Sequence, residues 1–128
     1  MRNPADYGEI VQTYVGQGEI TFPRGGRLQS DFELVHYRQG KWVLTCTGRF
    51  ARTAYPQWAR LVQEYKVDPW RPAPEQRWLA ARYAGRTQDQ RLVTIQQLYL
   101  VAADASGEGE KTLTLQMQFD CHEVSLGR

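Results

Sequence analysis

Apolar and polar residues alternate without exception from Leu113 to Cys121. Successive side chains of a β-strand point to opposite faces, so this alternation predicts a strand with one face in a core and the other in water. A helix would spread the same apolar residues around its axis. We therefore predict a β-rich domain whose dry interior includes Met117 and Phe119.

A second pattern predicts a hairpin between residues 31–38 and residues 41–48, two strand-like runs that meet at Gly40. A two-residue loop would place Glu33 opposite Cys46 and bury its carboxylate. We favour a three-residue loop, because a slip of one residue exchanges the two faces of a strand. That loop places six side chains on one face: Phe32, Leu34, His36, Trp42, Leu44 and Cys46.

The remaining sequence contains several shorter strand patterns. Strands are predicted at residues 9–15, 18–22, 79–86, 91–101 and 113–121, with turns at 23–27 and 87–90 and a polar, glycine-rich loop at 104–110. Gly16 and Gly18 inside the first pattern indicate a bulge, a bend or a turn. Residues 75–85 also have helix propensity, so strand and helix both stay open there. We favour the strand, because it would pair with the run that follows.

One helix is predicted, from Pro56 to Lys66. Its apolar residues form a single stripe at helical spacing: Trp58, Leu61, Val62 and Tyr65. Pro56 suits the first helical position, where a missing N–H costs nothing, and Asp68 and Pro69 end the helix. The predicted fold class is mainly β (α+β): a small antiparallel barrel or strongly bent sheet of six to eight strands, with this helix inserted, in a single domain spanning residues 1–128.

The composition is that of an ordinary soluble domain. The chain has 128 residues, of which 41% are hydrophobic and 23% are charged. The longest uncharged apolar run, residues 98–103, is far shorter than the roughly 20 residues of a membrane span. Residues 1–7 contain no apolar stretch suited to a secretion signal. We therefore expect a cytoplasmic protein without membrane association, in which Cys46 and Cys121 are buried free thiols, with one disulfide between them as the alternative.

No residue pattern for catalysis, a metal or a cofactor stands out. Zinc needs about four converging ligands, but Cys121 and His122 are adjacent and would point to opposite faces of a strand. His36 and Cys46 are the Cys/His pair that strand geometry permits. Their surroundings are apolar, and burial lowers the reactivity of a thiol. We therefore favour a protein that is not an enzyme and holds no cofactor.

Charged and aromatic residues suggest nucleic-acid binding as an alternative. The net charge of +2 conceals a basic middle and an acidic C-terminal part. Proteins that bind single-stranded nucleic acid combine a cationic groove with aromatic side chains, on which bases stack, on a small barrel. Six basic residues that lie close in sequence to aromatic residues are the candidates for binding nucleic acid or another anion: Arg38, Lys41, Arg49, Arg71, Arg77 and Arg82.

Protein binding is the favoured function. The chain is rich in Trp, Tyr and Arg, the residue types that dominate interface hot spots. We predict a non-catalytic binding or accessory domain with a protein partner or a homo-oligomer. A third interpretation is a barrel with an internal ligand cavity. The residues predicted to contact a partner or line a pocket are Trp42, Trp70, Trp78 and His36.

Overall fold

The computed structural model describes residues 8–21, 27–51, 53, 77–78, 81–107 and 109–127 of the chain. The helix predicted from Pro56 to Lys66 lies outside these residues. Seven antiparallel strands form one sheet: β1 (Ile10–Thr21), β2 (Arg27–Tyr37), β3 (Trp42–Ala51), β4 (Arg77–Trp78), β5 (Arg82–Thr87), β6 (Leu92–Gly107) and β7 (Thr112–Leu126). The predicted mainly β, antiparallel class is confirmed.

The sheet pairs its strands in the order β4-β6-β5-β1-β2-β3-β7, and β6 pairs with β7 as well. Each of the six long strands therefore has a neighbour on both sides, and their pairings form a closed ring. The two residues of β4 pair with Leu100 and Tyr99 of β6. The last strand, β7, lies between β3 and β6, so it joins two parts of the chain that are far apart in sequence.

The β2–β3 hairpin has the register predicted from the sequence. His36 lies opposite Trp42, and Phe32 lies opposite Cys46. The backbone N–H of Tyr37 donates to the carbonyl of Lys41 at 2.9 Å, which leaves three residues in the loop. Gly40 ends that loop with φ +82, a left-handed conformation that glycine adopts without a Cβ clash.

The strand predicted from Leu113 to Cys121 is confirmed and has its predicted inner face. Met117 is 1% exposed and Phe119 is completely buried. The core they share contains side chains from β1, β2, β3, β5, β6 and β7. Besides Phe119, its completely buried members are Ile20, Leu34, Leu44, Cys46, Ala81, Val93, Ile95 and Leu98. Burying one such side chain contributes about 1.5–3 kcal/mol, so this interior is the main source of stability.

Two sequence expectations about loops were wrong. Gly16 and Gly18 do not interrupt the first strand, because β1 runs through both of them. The polar segment predicted as a loop at 104–110 is strand as far as Gly107, which pairs with Leu113 of β7. Ladder hydrogen bonds join backbone groups, so polar side chains do not prevent a segment from extending a hairpin whose other arm is strongly apolar on one face.

Gly18 is needed because another side chain crosses it. The buried Tyr83 of β5 lies over Gly18, and its hydroxyl donates to the carbonyl of Ser30 on β2 at 3.2 Å. A Cβ on Gly18 would lie 2.8 Å from the Tyr83 ring and 2.5 Å from the carbonyl oxygen of Ala84. The absent side chain therefore lets β1 and β5 approach and lets Tyr83 span β1 from the inside.

Candidate interaction surface

The predicted basic residues do not come together into one patch among the described residues. Arg38 forms an exposed ion pair with Glu9 at 3.2 Å, and Lys41 contacts the buried carboxylate of Asp120 at 3.1 Å. Arg49 on β3 and Arg82 on β5 are exposed, but β1 and β2 lie between their strands. Arg71 lies outside the described residues, and the side chain of Arg77 on β4 is also outside them.

The predicted aromatic candidates that the structure describes form a stack. The rings of His36 and Trp42 are parallel within 4° with centroids 4.0 Å apart, and the ring centroid of Tyr14, on β1, lies 6.3 Å from that of Trp42. The guanidinium of Arg91 lies over the Tyr14 ring at 5.6 Å, a cation–π contact. Tyr14 and Trp42 pack against the core, so these rings are already engaged with one another.

Two further candidates, Trp70 and Trp78, cannot be compared with this stack. Trp70 lies outside the described residues, and Trp78 is described only as a backbone position in β4.

The two cysteines are free, buried and separated. Cys46 lies opposite Met117, whereas Cys121 lies opposite Trp42, so no disulfide joins them. Burial raises the pKa of Cys46 to about 12 and also raises that of Cys121. The expectation of free thiols is confirmed, and both are protonated at neutral pH, which makes them poor nucleophiles.

His36 does not contact Cys46 as a catalytic base would. The Leu34–Leu44 pair separates His36 from Cys46 in the β2–β3 ladder. The described residues also contain no group of three His, Cys, Asp or Glu side chains that could hold a metal ion. The arrangement therefore offers no activated thiol in the described part of the chain.

The sequence analysis missed a buried ion pair on the outer face of the sheet. Asp120 stands at a polar position of the alternating β7 pattern, yet it is 2% exposed. Val35, Tyr37 and Val43 form a small buried cluster on the same face. Lys41 reaches Asp120 from the position just before β3, so the pattern of β7 alone gave no sign of the contact.

One half of β1 has a strand on only one side among the described residues. β5 pairs with Gly16–Thr21, whereas β2 pairs along nearly the whole of β1. The backbone N–H of Gln88 donates to the carbonyl of Val15 at 3.1 Å, just beyond the end of β5. We call Ile10–Val15 the open edge.

The backbone at Thr13 points out of the sheet at this edge. Backbone groups of a strand alternate in direction, so Thr13 presents its N–H and C=O to the same side as Val15. The side-chain amide of Gln12 donates a hydrogen bond to the Thr13 carbonyl, at the long distance of 3.5 Å. Another strand that paired here would displace this side-chain contact from the Thr13 carbonyl.

The open edge is apolar and uncharged. Ile10, Val11 and Val15 are 58%, 52% and 40% exposed, and they are three of the four large hydrophobic side chains exposed on the described surface. No charged residue occurs from Ile10 to Gly18. Most natural edge strands are protected from pairing with other chains by charges, proline or bulges. The open edge contains one such feature, a register shift between Ile10 and Gln12.

Polar grooves continue from the open edge across the outer face. One groove of about 630 Å³ runs from Val15 past Arg86 to Asp31. A second groove, of about 700 Å³, shares Gln17 and Asp31 with the first and extends to Arg49. The ladder between β2 and β3 ends at Asp31 and Thr47 although both strands continue, and the second groove lies at this fork.

The uncharged run from Ile10 to Gly18 and the turn at 87–90 are both visible in the sequence, but the pairing of β1 with β5 is not, so the edge could not have been located from the pattern. In the described part of the chain, no helix has the length and apolar character that crossing a bilayer requires. Comparison of the chain with protein-family models, with curated proteins and with solved structures finds no match.

Proposed function

We propose that this domain is a non-catalytic protein-binding module, and that the open edge of β1 receives an extended segment of a protein partner as an additional strand. The observation that carries the proposal is the backbone of Thr13, which points out of the sheet between the exposed side chains of Val11 and Val15. Strand addition gains affinity from main-chain hydrogen bonds and specificity from alternate side chains.

Exposed apolar side chains strengthen this proposal. Covering Ile10, Val11 and Val15 would remove apolar area from water at a gain of about 25 cal/mol per Å². An edge without charges presents no repulsion to an incoming strand. The grooves beyond Val15 would give the same partner segment polar contacts, because Asp31 and Arg49 offer both signs of charge there.

The ring of strand pairings supports the finer architecture. We propose that the six long strands form a small closed barrel, whose filled core makes a rigid platform for the open edge. The internal-cavity interpretation is less favoured, because Trp42 stacks with both His36 and Tyr14 while Cys46 is completely buried. The cytoplasmic location stays a prediction.

Single-stranded nucleic acid is a less favoured ligand for this surface. The grooves contain Glu19 and Asp31 beside Arg49 and Arg86, so their charge is mixed. Phosphate binding requires cations that dominate a groove. A labelled oligonucleotide that bound in a salt-dependent manner, with the binding lost in the Arg77→Ala/Arg82→Ala variant, would reverse this ranking.

The proposal is tested by blocking the backbone of the open edge. Thr13→Pro removes the N–H that a partner strand needs, whereas Thr13→Val keeps it and retains a β-branched side chain. Proteins captured from a lysate of the source cells by the immobilised domain are quantified by mass spectrometry. We expect one specific protein to be captured by wild type and Thr13→Val and lost with Thr13→Pro.

Capture of the same proteins by all three forms would refute the use of this edge. Thermal melting shows whether Thr13→Pro is folded. Val15→Lys, which places a charge on the edge and leaves the backbone intact, provides a second block and is expected to give the same loss.

A further inference from the structure

We draw no further inference here: the strongest candidate, the buried patch of Val35, Tyr37, Val43 and Asp120 on the outer face of β2, β3 and β7, carries none, because nothing in the described part of the chain shows what covers it.

Discussion

Replacing Gly18 by alanine tests how tightly β1 and β5 are packed. The new Cβ would lie 2.5 Å from the carbonyl oxygen of Ala84, 2.7 Å from the Cα of Gly85 and 2.8 Å from the ring of Tyr83. Two of these atoms are backbone, so β5 would have to retreat by about 1 Å to restore the usual separation of about 3.5 Å. The ring cannot move aside freely, since it is 1% exposed and packs edge-on against Phe32.

The expected loss of stability follows from these contacts. Overpacking costs about 1–3 kcal/mol, and displacing Tyr83 from its hydrogen bond to Ser30 adds about 1 kcal/mol. Alanine also restricts the unfolded chain, which offsets about 0.4–1 kcal/mol. We expect Gly18→Ala to lower the free energy of unfolding by about 2–3 kcal/mol. The Tm should fall by about 8–12 °C for a domain of this size.

Urea denaturation of wild type and Gly18→Ala measures this change, provided that the two curves have the same slope. Gly109→Ala is the matched control, because its Cβ would have Thr112 Oγ1 as its nearest atom, at 3.6 Å. That control should remain within about 0.5 kcal/mol of wild type. If Gly18→Ala were as stable as Gly109→Ala, the close approach of β1 and β5 described here would be wrong.

Three further predictions concern the hairpin loop, the buried ion pair and the thiols. Gly40→Ala should lower the free energy of unfolding by about 1 kcal/mol, because φ is +82 at this position. No atom lies within 4 Å of the added Cβ, so the loss is conformational alone. In urea denaturation Gly40→Asn should lose less stability than Gly40→Ala, and equal losses would contradict this reasoning. Lys41→Met should lower the free energy of unfolding by about 3 kcal/mol, because it removes the Nζ that lies 3.1 Å from Asp120. A double-mutant cycle with Asp120→Asn should show coupling between the two residues. Additive losses of stability would refute the prediction. Burial raises the pKa of Cys46 from 9.0 to about 12, so the unfolded chain releases this proton first and stability should fall between pH 9 and 12. The slope should approach 1.4 kcal/mol per pH unit for this thiol, and a Cys46→Ala variant that kept the whole slope would exclude it as the source.

The sequence predicts well those features that depend on neighbours along the chain. The alternation from Leu113 to Cys121 identified the inner face of β7. The cost of burying the Glu33 carboxylate identified the register of the β2–β3 hairpin. Both are decided within one strand or between two consecutive strands. The polar segment up to Gly107 was misjudged, because its strand conformation depends on the arm with which it pairs.

The candidate site depends on distant parts of the chain, and there the sequence alone was insufficient. The open edge exists because β5 ends at Thr87 while β1 continues, a mismatch of lengths between strands that are not consecutive. The contact between Lys41 and Asp120 likewise joins the start of β3 to β7. Arg38 and Lys41 looked like a basic surface, but each lies beside a carboxylate that sequence spacing did not reveal.

The place of β7 between β3 and β6 has a consequence for synthesis on the ribosome. The other described strands of the sheet are translated before β7, so β3 and β6 each lack their second neighbour until β7 has left the ribosome exit tunnel. The nascent chain therefore passes through a stage in which one edge of β3 and one edge of β6 are unpaired and the apolar core is exposed. Exposed apolar surface and unpaired strand edges make such a stage prone to aggregation, and the pairing of β7 is the step that ends it.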